Sequence, residues 1–215
     1  IVKHCESIDQ QDYDNYIHVV IDDCSDNHIP LPHNEKRRYI RAPERRGCIA
    51  NQLYAFEKYL LDDDIVILLD GDDFLINNNT IFHYYNQLYN DGIEFTYGSC
   101  WSLADNIPLI AQDYPEDVKQ NKTYRQHHFN WMIPYTHLRT FRAKYTRLIN
   151  QDVFKRDGKF MMSGMDNPLF YELIEQIEPE RIKAVKEITC EYNDLNPLND
   201  YKVDPEQNQN AAVSY

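Results

Sequence analysis

Three carboxylates crowd into four positions where an apolar run stops. The stretch Ile65-Val66-Ile67-Leu68-Leu69 leads straight into Asp70-Gly71-Asp72-Asp73. A short unbroken apolar run led by β-branched residues predicts a strand covered on both faces, as in a parallel α/β sheet. Open α/β sheets bind ligands just beyond the carboxyl ends of their strands, which is where Asp70, Asp72 and Asp73 fall. Gly71 is expected to let the backbone turn tightly among them. Carboxylates this close repel one another unless protons or a cation intervene, and a hard divalent ion shared with a substrate phosphate suits oxygen ligands. A polar turn closing a strand is the plainer reading of one such Asp; three together favour a metal.

A second apolar run, residues 16–21, ends the same way, in Asp22-Asp23-Cys24-Ser25-Asp26-Asn27. Two such ends in one sheet would line a common crevice, although a turn after a strand accounts for Asp22 and Asp23 equally well. Lys36, Arg37, Arg38, Arg41, Arg45 and Arg46 form a local positive patch or, as readily, a solvated loop face. Asp166 falls where a helix opens, and spacing alone makes it a helix cap that leaves Pro168 inside the first turn. His137 and Arg139 are candidates for phosphate contact. His127 and His128, adjacent and so pointing apart, read as surface, and Trp101 and Trp131 would stack on a sugar face or simply pack. The net charge of −13 over 215 residues disfavours nucleic acid as a partner. Five widely spaced cysteines without CxxC spacing predict free thiols and a cytoplasmic setting, either alone or as the cytosolic part of a larger protein. No apolar run reaches the roughly 20 residues needed to cross a bilayer. The chain opens on Ile1 without a methionine, which suggests a piece of something longer.

The elements that must position these residues alternate. Residues 1–11 place Ile1, Cys5 and Ile8 on one face of a helix, strand 16–21 follows, and Tyr39-Ile40 suits a short edge strand. Ile49, Leu53, Phe56 and Leu60 mark a core-facing helix after Gly47. Asn77-Asn78-Asn79-Thr80 offers capping groups to a helix carrying Ile81, Tyr84, Tyr85 and Leu88. A strand over 94–97, an irregular stretch over 99–125, a helix on Leu138, Phe141, Tyr145 and Leu148, a helix on Leu169, Leu173 and Ile177, and a strand over 184–192 complete the series. Such alternation predicts an α/β fold with a mainly parallel central sheet flanked by helices. Residues 1–202 form one domain in this reading, and residues 203–215 a polar tail.

Asp-Asp-Cys-Ser-Asp, Gly47 with Asn51, Leu-Leu-Asp-Gly-Asp-Asp-Phe-Leu and Ser-Gly-Met-Asp-Asn-Pro-Leu-Phe stand in the order seen in family 2 glycosyltransferases of the Rossmann-like GT-A fold, which the chain resembles from residue 1 to about 199. The resemblance implies a metal-dependent, inverting transfer from a nucleotide-sugar, UDP-linked by preference, to a hydroxyl of a glycan, protein or small molecule. Asp22 and Asp23 would lie by the nucleobase and ribose, Asp70 and Gly71 by the ribose or donor sugar, and Asp72 with Asp70 on Mn²⁺ or Mg²⁺. Asp166 would be the general base, and residues 192–200 a lid. The pattern departs in three places. The first strand of the fold has no counterpart and is expected ahead of Ile1, Met165 replaces an acid, and the QxxRW motif of processive members is missing. Two other readings stay open: a haloacid-dehalogenase-type phosphotransferase, which shares the DxD shape but wants Thr or Val where Phe74 stands, and a non-catalytic sugar-binding domain of the same shape. Homo-oligomer formation stays open too.

Overall fold

The computed structural model describes residues 1–215 except 28, 128, 130–136, 200, 201 and 203–215. Helices α1 (Val2–Asp9), α2 (Cys48–Tyr59), α3 (Ile81–Asn90) and α5 (Asp166–Ile174) alternate with strands, as the apolar spacing predicts, while a short α4 (Glu116–Asn121) stands in the stretch expected to be irregular. The strands are β1 (His18–Asp22), β2 (Arg37–Arg41), β3 (Ile65–Leu68), β4 (Phe74–Leu75), β5 (Phe95–Ser102), β6 (Ile107–Leu109), β7 (Arg139–Arg142), β8 (Lys155–Arg156), β9 (Lys159–Phe160) and β10 (Ile182–Tyr192). The main sheet runs β3-β7-β5-β10-β4 with β6 on β5, while β1 and β2 form a separate parallel pair. Phe56, Phe95, Phe141 and Phe170 pack in one core with α2 and α5. Ile8, Ile81, Tyr85 and Val185 pack in a second with α1 and α3.

The expected α/β class is present, but the sheet is mixed rather than mainly parallel. β5 and β10 run parallel, whereas β7 runs antiparallel to both β3 and β5. The reason lies in the segment whose apolar spacing predicts a helix over 138–148. Its first half is the strand β7, and Ala143–Leu148 follows as a tight 3-10 helix that leaves Leu148 exposed. In β7, Thr140 faces one side, where its hydroxyl meets those of Thr96 at 2.6 Å and Tyr89 at 2.8 Å. Phe141 faces the other side, edge-on to Phe56. Alternation of period two, with a β-branched and an aromatic residue, beats a helical spacing assembled from four positions. β5 likewise extends beyond the expected 94–97 into the stretch read as irregular. Gly98 within it is required by close approach: a Cβ there would lie 2.6 Å from the Leu138 nitrogen, so the glycine sets how near β5 lies to His137.

Capping differs from expectation as well. No side chain from 77–80 caps α3; Gln11, just past α1, accepts from the N–H groups of Ile81 and Phe82 at 3.0 and 3.4 Å. Gly71 has no left-handed φ, and a Cβ there would make only ordinary contact, so glycine is not required at that turn. Gly47 is the position that needs it, with φ +85 and Met162 Cα 3.0 Å from an added Cβ.

α1 is joined to β1 and to the acidic turn by one chain of hydrogen bonds. Arg37 Nε donates to His18 Nδ1 at 3.2 Å, so His18 carries its proton on Nε2 and donates to His4 Nε2 at 3.2 Å. His4 then donates from Nδ1 to the carbonyls of Asp73 and Asp70 at 2.9 and 3.1 Å. A proton added to either ring would remove an acceptor from this chain. Burial pushes His18 down to about 3, with His4 and Arg37 adding to the effect; an unfolded histidine titrates near ~6.5. Between those values the unfolded state binds the extra proton, so stability falls as the pH falls. Acidification from about pH 7.5 to about pH 5 is therefore expected to cost the native protein about 1–2 kcal/mol more than a His18→Gln variant, measured by urea unfolding. Equal losses in both proteins would refute the assignment.

Candidate active site

β3 ends at Leu68, and the chain reverses over residues 69–73 before β4, closed by the Asp73 N–H bonding the Asp70 carbonyl at 3.0 Å. The three carboxylates of this turn meet three different environments. Asp73 points inward and is 1 % exposed. One of its oxygens accepts from the Asn193 N–H at 2.7 Å. The other, Oδ2, lies 3.2 Å from His137 Nδ1, and neither of those two buried atoms makes a well-formed hydrogen bond. Burial, reinforced by the neighbouring Asp70 and Asp72 charges, pushes the Asp73 carboxyl up to about 8. Asp70 is half-exposed, with Oδ2 3.9 Å from His137 Nε2. Asp72 is held by the Asn196 amide at 2.5 Å.

Ligand atoms of Asp70, Asp73 and His137 all lie within 4.8 Å of one another. The donor set of two carboxylates and an imidazole suits a divalent ion of the Mn²⁺ type, and the orphaned Asp73 Oδ2 and His137 Nδ1 are the atoms such an ion would satisfy. The residues therefore fit a metal. The grouping shares Asp70 with the pair expected from sequence, brings in Asp73 and His137, and leaves Asp72 outside.

β7 supplies the next part. Burial holds the His137 ring well below the ordinary histidine range, and Arg139 adds to this. The ring stacks on Tyr192 at 5.2 Å between centroids. Arg139 is buried, with Nη2 3.3 Å from His137 Nε2 and Nη1 donating to Asp166 Oδ2 at 3.1 Å. Burial works against its charge, but the carboxylates of Asp166 and Asp70 outweigh that and raise its pKa. Asp166 itself is the first residue of α5, with Met165 in the cap position, and its side chain is 46 % exposed. The late acid and the acidic turn thus meet through a single guanidinium.

Asp22 and Asp23 do structural work at the end of β1. Asp22 accepts from the Ser25 N–H at 2.8 Å and the Tyr39 hydroxyl at 2.7 Å. Burial would raise its pKa, yet these bonds and Arg41 lower it. Asp23 accepts from the N–H groups of Arg46 and Gly47 at 3.0 and 2.9 Å, fixing the entry to α2. Both line the large cavity that also reaches Asp70 and Gly71.

The basic cluster does not form one patch. Arg37 pairs with Asp9 at 2.6 Å and is buried, Lys36 pairs with Asp14, and Arg46 bonds Asn51. His127 is half-buried against Tyr114 and Phe129 rather than on the surface, and Trp101 bonds Asn106. His128 and Trp131 lie outside the described residues. The segment after β10 lies over the acidic turn through Asn193 and Asn196, where a lid is expected. The resemblance assigns no ligand position to Asp73; its burial beside His137 is what brings it into the group.

The comparisons with known proteins bear on the fold and the family. Two crystal structures of S. aureus TarS share the fold, one of residues 1–349 at TM-score 0.56 over 99 % of this chain and the other at TM-score 0.53 over 94 %, each at 13 % identity. The chain spans 60 % and 35 % of those two solved chains. No curated protein matches the sequence. The family model described as "Glycosyl transferase family 2" matches residues 1–156, most of the chain and all of the acidic turn, β7 and Arg139, which leaves no room for the haloacid-dehalogenase reading: this chain belongs to glycosyl transferase family 2.

Proposed function

We propose that this protein transfers a sugar from a nucleotide-sugar donor, a UDP-sugar in the reading made from sequence, to an acceptor hydroxyl, with inversion at the anomeric carbon. The observation that carries the reading is the Asp166–Arg139–His137–Asp73 chain of contacts, which gathers a half-exposed carboxylate and a candidate cation group into one crevice. Asp70, Asp73 and His137 would hold a divalent ion. Bound there, the ion would supply Lewis-acid neutralisation of the diphosphate leaving group.

The chain's own residues do the rest. Asp166, open to the crevice, takes the proton of the acceptor hydroxyl as its oxygen attacks the anomeric carbon and the sugar–phosphate bond breaks. Arg139 fixes the direction of that carboxylate, and its positive charge faces the side of the site where negative charge gathers on the departing diphosphate. Asp22 and Asp23 shape the end of the cavity taken by the nucleoside. Asn193 and Asn196 close over the turn and exclude water. A cytoplasmic setting belongs to the same proposal: the five cysteines are free, and among the described residues no helix is long and apolar enough to cross a membrane.

Asp166→Asn preserves the size of the side chain and an acceptor for Arg139, so it is expected to fold and to bind donor normally while transfer drops by roughly 10²–10⁴-fold. Steady-state transfer assays paired with calorimetric titration of a donor analogue separate the two effects; undiminished turnover would remove Asp166 as the base. For the cation, a thermal-shift titration with Mn²⁺ in the presence of a nucleoside diphosphate is expected to show stabilisation that disappears in Asp70→Asn and His137→Ala but persists in Asp72→Asn. The reverse ranking would place the ion on Asp72 instead.

A further inference from the structure

Between the short 3-10 helix at Gln151–Phe154 and α5, the strands β8 and β9 form a tight hairpin. Asp157 and Gly158 turn it with φ of 52 and 74, the left-handed pair that a type I′ turn requires and that Asp-Gly favours. Phe154 is fully buried just before the hairpin, and the Met161 N–H bonds the Phe154 carbonyl at 2.9 Å just behind it, so the hairpin stands on the core. Lys155 lies over the Phe160 ring at 5.3 Å and pairs with Asp152 at 3.0 Å. The register then sets Arg156 directly against Lys159, and both residues are exposed. Like charges placed opposite each other weaken a strand pair. The hairpin's single carboxylate, on Asp157, balances one of the two, which leaves its tip positive in a chain of net charge −13.

The two cations border a hollow of their own. Arg156, Asp157, Lys159, Phe160, Met161 and Met162 line a space of 330 Å³, at the small end of the roughly 300–1,000 Å³ of ligand sites. Met162 also lines the large cavity that reaches Asp70, and from Met162 the chain runs through Ser163 to Asp166 at the head of α5. None of the three turn acids borders the hollow. We propose that it holds a phosphate ester carried by the acceptor, gripped between Arg156 and Lys159 while another part of the same molecule offers its hydroxyl to Asp166. The role of the hydroxyl rests on the transferase reading; the anion site does not.

The chemistry selects phosphate over a carboxylate. One guanidinium fork satisfies both oxygens of a carboxylate, whereas a phosphate keeps a further oxygen for the Lys159 ammonium and so uses the whole pair. An anion bridging the two cations also relieves their repulsion. Phe160, Met161 and Met162 give the hollow apolar walls, which suit the carbon skeleton beside an ester better than a bare ion. The chain from Lys159 to Asp166 spans at most about 25 Å, which limits how far the phosphate stands from the reacting hydroxyl.

Because Met162 lies in the wall, NMR of the protein with ¹³C-labelled methionine methyl groups tests the site directly, with Met162→Leu to assign its signal. The protein is titrated at fixed ionic strength with glucose 6-phosphate, with glucose and with inorganic phosphate. Glucose 6-phosphate is expected to shift the Met162 signal, glucose to leave it unmoved, and inorganic phosphate to bind about tenfold more weakly than the ester. Arg156→Gln combined with Lys159→Gln is expected to weaken ester binding by about tenfold or more, while unchanged signals from the buried Met161 and Met165 show that the fold is kept. An equal response to glucose, ester binding untouched by the double variant, or inorganic phosphate as tight as the ester would each overturn the proposal, the last by marking a site for the free anion. In transfer assays KM is expected to be about tenfold lower for a phosphorylated acceptor than for its neutral counterpart, a preference that the double variant erases; transfer without that preference would overturn the acceptor assignment. An ester titration that responds to the double variant, in a protein that transfers to neither acceptor, would count against the transferase reading and uphold the anion site.

Discussion

Negative charge packed at the end of β3 is the constraint on which the rest of the structure depends. Asp70, Asp72 and Asp73 share one turn, and one of them is buried, so the fold must supply compensation from several directions. His4 grips the turn's carbonyls from α1. Asn193 and Asn196 bond two of the carboxylates from the segment after β10. From just ahead of β7 comes the His137 ring, and from β7 itself the buried Arg139. Placing a lone carboxylate in such a site is costly; Asp73 is met on one oxygen only, by the Asn193 N–H, and its raised pKa expresses what is left unmet. The partners of the turn as a whole tie it to α1, to the residues leading into β7 and to the segment after β10.

Arg139 shows how that arrangement becomes a site. A buried guanidinium is tolerated only when its charge and its donors are met, and this one is met by Asp166 on one side and by the field of the acidic turn on the other. Phe170 lies under it at 5.2 Å, so α5 supplies both the carboxylate and the ring. Because Asp166 opens α5, its carboxylate also sits at the positive end of the helix dipole. Two distant parts of the sequence are thus held in register by one side chain with little freedom to move.

Much of this was legible in the residues. The apolar spacing of α2 and α3 and the composition of β10 located those elements, and the apolar run into Asp70 located the turn. What escaped was whatever depends on a partner remote in sequence. Leu138, Phe141, Tyr145 and Leu148 fit a helix, yet the backbone there pairs with β3 and β5, and the polar Thr140 lies inside because Thr96 and Tyr89 meet its hydroxyl. Gln11 caps α3 from just past the end of α1, so the asparagines before α3 do not supply the cap. His137 and Arg139 were suspects for phosphate contact; that they face carboxylates follows from the antiparallel insertion of β7, which no local pattern announces. The β-branched Thr140 next to the aromatic Phe141, between two arginines, is the signal that would have found that strand.

The same reasoning bears on how a chain of net charge −13 meets an anionic donor. Of the six cations between residues 36 and 46, Lys36, Arg37, Arg38, Arg41 and Arg46 already bond groups of the protein. Arg45 lines the cavity. Arg139 is committed to Asp166. The protein's fixed cations are thus largely spent on its own acids and carbonyls, and the field at the acidic turn stays negative. The proposed approach of a diphosphate to that turn would call for a local reversal of the field, which a divalent ion on carboxylates supplies. The crowding of acids at the turn and the commitment of the nearby cations to the protein's own groups therefore go together: the proposed diphosphate would need its positive charge from the ion proposed at Asp70, Asp73 and His137.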